Sequence, residues 1–259
     1  MVIRMSDIKI IDYKKTDLSN CLLVVAFPTV GLISSIAGHH IVQSLKLKEI
    51  GAIVSSQLMP TAVIHDGYPS PPVRIYAGKK TCGPQGSCDQ IAVIMSEFMP
   101  PYEVIKPLAD EILLWAKNKG CRFITALEGT HAEGDIDEES LQVYGVASTK
   151  SIKDLMKKYD IPETNEGMIT GVTGVLLYSA ALLKQDALCL LSEAHSDYPD
   201  SRAAANIVSK LDIMLPGIRI DAKPLYEQAE EIEQKIRKFL DQSKPTAPAI
   251  PPIPTNMYR

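Results

Sequence analysis

Short, almost wholly apolar runs recur along the chain and predict buried β-strands. The run 21–27 contains the β-branched pair Val24 and Val25 and is apolar at every position, as a strand covered on both faces requires. Similar runs predict strands at 49–56, 73–78, 90–96, 121–127, 143–149 and 187–191, with an edge strand at 7–13.

Between these runs, apolar residues three and four positions apart predict amphipathic helices. In the segment 102–119, Ile105, Leu108, Ile112 and Trp115 share one face, and we expect Trp115 to pack in the core. The same reasoning predicts helices at 30–45, 150–159, 175–184, 201–215 and 224–240, and Asp200 is expected to cap the helix at 201–215.

The alternation of strands and helices predicts an α/β fold, with a mostly parallel sheet flanked by helices. Strand 21–27, helix 30–45 and strand 49–56 are expected to form a right-handed crossover unit. The segment 58–72 is rich in proline and is expected to be an irregular loop.

The composition changes sharply after Gln242, and this change predicts two parts: an α/β domain over 1–241 and a flexible proline-rich tail over 242–259. Proline at this density prevents helix and central-strand pairing, so we expect a polyproline-like spacer. At about 3.1 Å per residue the spacer reaches roughly 40 Å. It ends in Met257, Tyr258 and Arg259.

The net charge and its distribution argue against some classes of function. A net charge of −4 without a basic stripe argues against nucleic-acid binding. The first residues carry charges too early for a signal peptide, and the apolar runs are too short to cross a membrane. We therefore expect a cytoplasmic protein without a membrane partner.

Five cysteines without an export signal predict mainly reduced thiols. Cys21, Cys121 and Cys189 lie in apolar, strand-like sequence and are expected to be small buried side chains. Cys82 and Cys88 bracket a turn rich in glycine and proline, where a disulfide is an open alternative. A zinc site is disfavoured because a second cysteine pair is missing, and no metal site is predicted.

Two turns of the chain are candidate phosphate sites. The first, Phe27-Pro28-Thr29-Val30-Gly31, leads from an apolar strand into a small-residue helix, but the chain contains neither G-x-G-x-x-G nor G-x-x-x-x-G-K-[ST]. The second, from Gly167 to Gly174 and including Gly171, could bind an anion through backbone amides. Both are expected to be structural turns, and no cofactor is predicted.

Histidines and carboxylates follow several predicted strands and could gather at the carboxyl edge of the sheet. An acid/base or metal site there is conceivable. No pair has a fixed metal-ligand spacing, and no G-x-S-x-G elbow exists. The residues concerned are His65, His131, His195, Glu97, Glu128 and Glu193.

Several short motifs together resemble the proteasome assembly chaperone 2 family of archaea. Ala26 is a mild departure, because relatives often have glycine before the Phe-Pro pair. The motifs, which cover almost the whole folded part, are Phe27-Pro28-Thr29-Val30-Gly31-Leu32, Pro71-Pro72-Val73-Arg74-Ile75-Tyr76, Ser96-Glu97, Val143-Tyr144-Gly145-Val146-Ala147-Ser148-Thr149, Gly167-Met168-Ile169-Thr170-Gly171 and Tyr198-Pro199-Asp200.

This resemblance implies a Rossmann-like, phosphorylase-type fold, assembly into homo-oligomers with or without a paralogue, and no catalytic residues. It also implies a function for the C-terminal tail. Met257-Tyr258-Arg259 matches the hydrophobic-tyrosine-any-residue ending by which proteasome activators and some archaeal assembly chaperones dock between α-ring subunits of the proteasome core particle.

Two hypotheses from different classes therefore stand. The first is a non-enzymatic chaperone or adaptor that binds the proteasome through Met257, Tyr258 and Arg259. The second is a small-molecule or nucleotide-binding enzyme that uses loops at the carboxyl ends of the strands. For either, the candidate ligand or interface positions in the folded part are Phe27, Pro28, Gly31, Glu97, Gly171 and Glu193.

Overall fold

The apolar runs form the strands of one eight-stranded sheet. The structure, a computed structural model, describes residues 7–65, 67–82, 88–131, 142–195 and 198–231. The strands are β1 (Lys9–Asp12), β2 (Leu22–Ala26), β3 (Lys48–Val54), β4 (Val63–His65), β5 (Tyr68–Ser70), β6 (Val73–Ala77), β7 (Thr81–Cys82), β8 (Cys88–Asp89), β9 (Ile91–Ser96), β10 (Phe123–His131), β11 (Val143–Ala147) and β12 (Ala187–Ala194). The large sheet has the order β1-β3-β6-β9-β2-β10-β12-β11, and β4-β5 and β7-β8 form separate two-stranded sheets.

Most strands of the large sheet run in one direction. β9, β2, β10 and β12 are consecutive parallel neighbours. β3 is antiparallel to β6, and β6 is antiparallel to β9, so β3 runs in the same direction as these four strands. β1, β6 and β11 run the opposite way. The prediction of a mostly parallel sheet flanked by helices is therefore confirmed.

The two strands of the predicted crossover unit, β2 and β3, run in the same direction but are not neighbours. β6 and β9 lie between them, and both neighbours of β3 are antiparallel. An apolar run shows that a strand is buried and says nothing about which strands pair with it.

Helices cover both faces of the sheet. They are α1 (Ile33–Ser44), α2 (Tyr102–Lys119), α3 (Lys150–Lys158), α4 (Gly171–Leu183) and α5 (Ser201–Met214), and residues 223–231 are also helical. α1, α3 and α5 contribute to one apolar cluster, and α2 and α4 to a second cluster on the other face. None of the described helices combines the length and the low polarity needed to cross a bilayer.

Helix α2 has the predicted bounds and the predicted buried face. Ile105, Leu108 and Ile112 are buried, and so is Trp115, whose Nε1 donates a hydrogen bond to the Asp12 carboxylate at 3.3 Å. Asp200 caps α5, since its side chain accepts from the Ala203 N–H. These two predictions are confirmed.

Three other boundaries differ from the predictions. α4 begins at Gly171 and not at Val175, so half of the expected glycine-rich turn is helical. β10 and β12 continue beyond the expected ends because their mutual ladder extends to His131 and Ala194. The proline-rich loop 58–72 contains the small hairpin β4-β5.

Some predictions fall on residues outside the described ranges. These are the tail 242–259 with Met257, Tyr258 and Arg259, the part of the predicted helix 224–240 after residue 231, and the interior of the turn between Cys82 and Cys88. The backbones of Cys82 and Cys88 lie opposite each other in the β7-β8 pairing. Directly opposed antiparallel residues lie within disulfide range, and the bond itself stays a prediction.

Candidate functional site

The carboxyl ends of the central strands bring the sequence-predicted residues to one edge of the sheet. Phe27 and Pro28 follow β2, and Glu97 follows β9, while Glu193 is the penultimate residue of β12. Gly171 opens α4, which runs back toward the start of β12. The edge is shared, but the side chains separate into distinct groups on the two faces of the sheet.

Gly31 forms a tight turn between β2 and α1. Its φ of 61° and the φ of 53° at Leu32 are left-handed, so the chain kinks before the helix begins. The Gly31 carbonyl accepts the Asp200 N–H at 2.8 Å, and a Cβ at Gly31 would lie 2.9 Å from the Ala194 Cβ and the His195 carbonyl oxygen. This turn is therefore pressed against the connection between β12 and α5.

Asp200 and His195 form an ordered pair on that connection. Oδ2 of Asp200 lies 2.8 Å from Nδ1 of His195 and accepts the His195 backbone N–H at 3.1 Å. Oδ1 accepts the Ala203 N–H at 2.9 Å, and the Tyr198 ring stacks on the imidazole with centroids 4.7 Å apart. Because the carboxylate fixes one ring nitrogen, the orientation of His195 is set.

A cavity of about 390 Å³ opens beside this pair. It contains one histidine, one threonine and one tyrosine among mostly small or apolar side chains, so it has few polar groups that could orient a ligand. Its lining consists of Thr29, Val30, Gly31, Leu32, His131, Tyr198 and Pro199.

Glu97 belongs to a second group, on the α1 face. It forms an ion pair with Arg74, whose side chain is only 3% exposed, and its Oε2 lies 3.5 Å from Nε2 of His39. Burial, and secondarily the charge of Arg74, lower the pKa of His39. Nε of Arg74 is buried and has no hydrogen-bond partner among the described residues. The carboxylate of Glu97 is therefore the main group that offsets the positive charge of the buried Arg74 side chain.

Glu128 lies on the opposite face, beside the first turn of α4. Burial raises its pKa from 4.5 to about 7, although hydrogen bonds from the Thr173 side chain and the Gly129 backbone act in the other direction. A carboxyl group with such a pKa can carry a proton at neutral pH.

Glu128→Gln is expected to stabilise the protein at high pH. The folded state holds the Glu128 proton more tightly than the unfolded state, so the stability it contributes is present below about pH 4.5 and is lost as the pH rises to about 7. The gain from Glu128→Gln in the free energy of unfolding should be about 2 kcal/mol larger at pH 8 than at pH 5. Urea unfolding at the two pH values measures this difference.

Glu193→Gln is the matched control, because Glu193 is an exposed carboxylate on the strand beside Glu128. The difference between the two pH values should be larger for Glu128→Gln than for Glu193→Gln, because only Glu128 is desolvated by burial. Equal gains from Glu128→Gln at both pH values would contradict the assigned titration.

The remaining predicted positions have plainer surroundings. Phe27 is buried in the apolar cluster beneath α2 and α4, and Glu193 is exposed. A Cβ at Gly171 would meet the Met99 methyl group at 2.9 Å, so this glycine allows the Met99 side chain to pack over the start of α4.

The three candidate histidines do not gather at one place. His131 lines the cavity and His195 pairs with Asp200, while only the backbone of His65 is described. Within the described ranges, no three metal-ligating side chains gather.

Arg74 was not singled out from the sequence as a site residue, and the burial of Glu128, which was named, could not be predicted. Arg74 interrupts the apolar strand 73–77, and a charge in such a run is a signal of a buried ion pair. Glu128 directly follows the apolar run 123–127, but its burial depends on α4, which is distant in sequence.

The sequence model of the PAC2 family matches residues 23–240. The chain is 30% identical over 234 residues to MJ0106, an uncharacterized protein of Methanocaldococcus jannaschii, covering 90% of this chain and 91% of that protein.

Solved structures of similar fold include two proteins of Pyrococcus furiosus. PbaA, described as an archaeal homolog of proteasome-assembly chaperone, is 27% identical with a TM-score of 0.79, covering 91% of this chain and 92% of that chain. PbaB, described as an archaeal proteasome activator, is 22% identical with a TM-score of 0.78, covering 91% of this chain and 100% of that chain. The PbaB likeness is one of fold.

Proposed function

The chain belongs to the PAC2 family, and from that premise we propose that it is a non-enzymatic proteasome assembly chaperone or proteasome-binding adaptor. The observation that carries the proposal is the similarity to PbaA, which extends over nearly the full length of both chains. The sequence motifs at 27–32, 71–76 and 167–171 agree with it.

We propose that the partner is the α-ring of the proteasome core particle and that Met257, Tyr258 and Arg259 dock into pockets between its subunits. Met257 would fill an apolar slot, and the Tyr258 ring would add buried area with its hydroxyl hydrogen-bonded. The terminal carboxylate of Arg259 would pair with a pocket lysine. The proline-rich spacer would hold this anchor away from the folded domain.

Because three residues alone bind weakly, we also propose that the chain forms a homo-oligomer that presents several tails. Stiff spacers on one assembly raise the effective concentration of each further tail once the first has docked. Light scattering at micromolar concentration should therefore give a mass that is a multiple of 28.4 kDa. A monomer at this concentration would remove the avidity argument.

Removing Met257, Tyr258 and Arg259 is expected to weaken binding to purified core particles about 100-fold, because multivalent attachment is lost along with each anchor. Tyr258→Ala should have a similar effect, and one glycine added after Arg259 should also weaken binding by displacing the carboxylate. Biolayer interferometry on immobilised core particles, and in parallel on isolated α-subunits, measures these affinities.

Tyr102→Ala is the matched control, since Tyr102 is a tyrosine of the folded domain that is 87% exposed. It should bind as the unaltered chain does. Unchanged binding after the tail deletion would refute docking by the tail but leave association through the folded domain. Failure of the unaltered chain to bind either core particles or α-subunits would refute the proteasome role.

A small-molecule binding role at the carboxyl edge is the second candidate. The observations that favour it are the cavity of about 390 Å³ and the His195-Asp200 pair beside it. Thermal shifts against a panel of nucleotides and metal ions test this role. A robust shift that His195→Ala abolishes would favour it, and the absence of any shift would reject it.

A further inference from the structure

Two free cysteine thiols meet at the amino edge of the sheet, far in sequence from each other. Sγ of Cys21, just before β2, donates a hydrogen bond to Sγ of Cys121, just before β10, at 3.3 Å. Neither thiol is in a disulfide. A disulfide has an S–S distance of about 2.05 Å, so the two sulfur atoms need to approach by only about 1.3 Å.

The backbone holds the two cysteines side by side. The Arg122 N–H donates to the Cys21 carbonyl at 2.8 Å, and the Asn20 N–H donates to the Gly120 carbonyl at 2.7 Å. The Cys121 N–H is bound to the Ala116 carbonyl at the end of α2. The chain on both sides of each thiol is therefore fixed, and the sulfur contact does not depend on a loose segment.

The two thiols differ in their surroundings. Cys21 is completely buried, whereas Cys121 is partly accessible to solvent. The hydrogen bond from Cys21 lowers the pKa of Cys121, and the Lys119 charge adds to this effect, while the same bond and burial raise the pKa of Cys21. Cys121 is thus suited to react first and Cys21 second.

We propose that Cys21 and Cys121 form a redox-active dithiol that a low-molecular-weight disulfide such as oxidised glutathione converts into a protein disulfide. The Cys121 thiolate attacks one sulfur of glutathione disulfide, which forms a mixed disulfide and releases one glutathione thiolate. Cys21 then loses its proton and attacks the Cys121 sulfur, forming the Cys21-Cys121 bond and releasing the second glutathione. Two electrons pass from the cysteine pair to the oxidant, and the two thiol protons end on the two glutathiones.

The bond would tie the entry of β2 to the entry of its parallel neighbour β10. It would also close a loop from residue 21 to residue 121, and long loops gain most from cross-linking in the chain-entropy description. Oxidation is therefore expected to raise the melting temperature by about 5–15 °C without changing the fold.

The full-length protein is reduced, freed of reductant and equilibrated in glutathione buffers of increasing potential, then acid-quenched, alkylated and mapped by mass spectrometry. We expect a peptide pair linked through Cys21 and Cys121 and a rise in melting temperature over the same range of potential. A variant with Cys82→Ser and Cys88→Ser removes the other candidate disulfide, and in it two of the three remaining thiols should resist alkylation after oxidation.

In the variant with Cys82→Ser and Cys88→Ser, Cys121→Ala should abolish the linked peptide and the rise in melting temperature. Cys189→Ala is the matched control, because Cys189 is a completely buried thiol on the neighbouring strand β12, and it should leave both unchanged. The reduced variant with Cys82→Ser and Cys88→Ser should also bind one equivalent of phenylarsine oxide, which needs two adjacent thiols. Three alkylatable thiols after oxidation, a stable glutathione adduct on Cys121 or no stoichiometric arsenical binding would overturn the proposal.

Discussion

Gly31→Ala is expected to lower the free energy of unfolding by about 4 kcal/mol, because two separate costs fall on one methyl group. At a φ of 61° an L-residue is strained, which costs on the order of 1–2 kcal/mol. The new Cβ would also lie 2.9 Å from both the Ala194 Cβ and the His195 carbonyl oxygen, and overpacking of this kind typically costs about 1–3 kcal/mol. The backbone atoms among these neighbours cannot move without shifting β12.

Chemical denaturation followed by circular dichroism measures the loss. Gly120→Ala is the matched control, since Gly120 has a φ of 70° but its nearest contact would be 3.8 Å away, and it should lose only about 1 kcal/mol. The two substitutions thus share the conformational strain and differ in the steric contact. Equal losses would mean that the close packing of the Gly31 turn against β12 adds nothing to stability.

Glu97→Ala is expected to lower the free energy of unfolding by about 3 kcal/mol. The change leaves the Arg74 guanidinium buried without its carboxylate, and breaking a buried ion pair usually costs about 3–5 kcal/mol. We expect a cost at the lower end of this range because the Glu97 side chain is 31% exposed, so water can replace part of the lost interaction. Urea unfolding at pH 7 measures the change.

Glu163→Ala supplies the comparison, because the Glu163 pair with Lys153 is at the surface, where solvent screens the two charges, and its loss should cost much less. A combined Arg74→Leu and Glu97→Leu variant removes both charges and should recover much of the stability lost in Glu97→Ala. If Glu97→Ala cost no more than Glu163→Ala, Arg74 would have to be compensated by groups other than Glu97.

The strands and helices could be predicted because each buries a continuous apolar run or an apolar stripe, and α2 follows the predicted bounds of residues 102–119. The neighbours of β3 could not be predicted. Burial on both faces looks the same in the sequence whether the adjacent strand is parallel or antiparallel. Similarly, Gly171 and Gly174 disfavour a helix locally, yet packing over Met99 and the sheet places both inside α4.

The candidate site was only partly accessible to sequence reasoning. Glu97 and Gly31 lie at the carboxyl edge, a position that the sequence predicts because residues that follow buried parallel strands lie there. Their partners, Arg74 for the first and Asp200 for the second, come from elements 23 and 169 residues away, and no local pattern joins them. The raised pKa of Glu128 likewise depends on tertiary burial beneath α4.

The position of β12 in the sheet has a consequence for how the chain is made. β12 lies between β10 and β11, so a nascent polypeptide shorter than 187 residues leaves both of them with an unpaired edge. Because a chain is synthesised from its amino end and strand pairing distant in sequence forms slowly, the ribosome must deliver β12 and α5 before the sheet can close. Until then β10 exposes a ladder of unsatisfied backbone groups, the kind of edge that associates with other chains. The period before β12, which ends at residue 194, has been synthesised is thus when this protein itself most needs protection from aggregation.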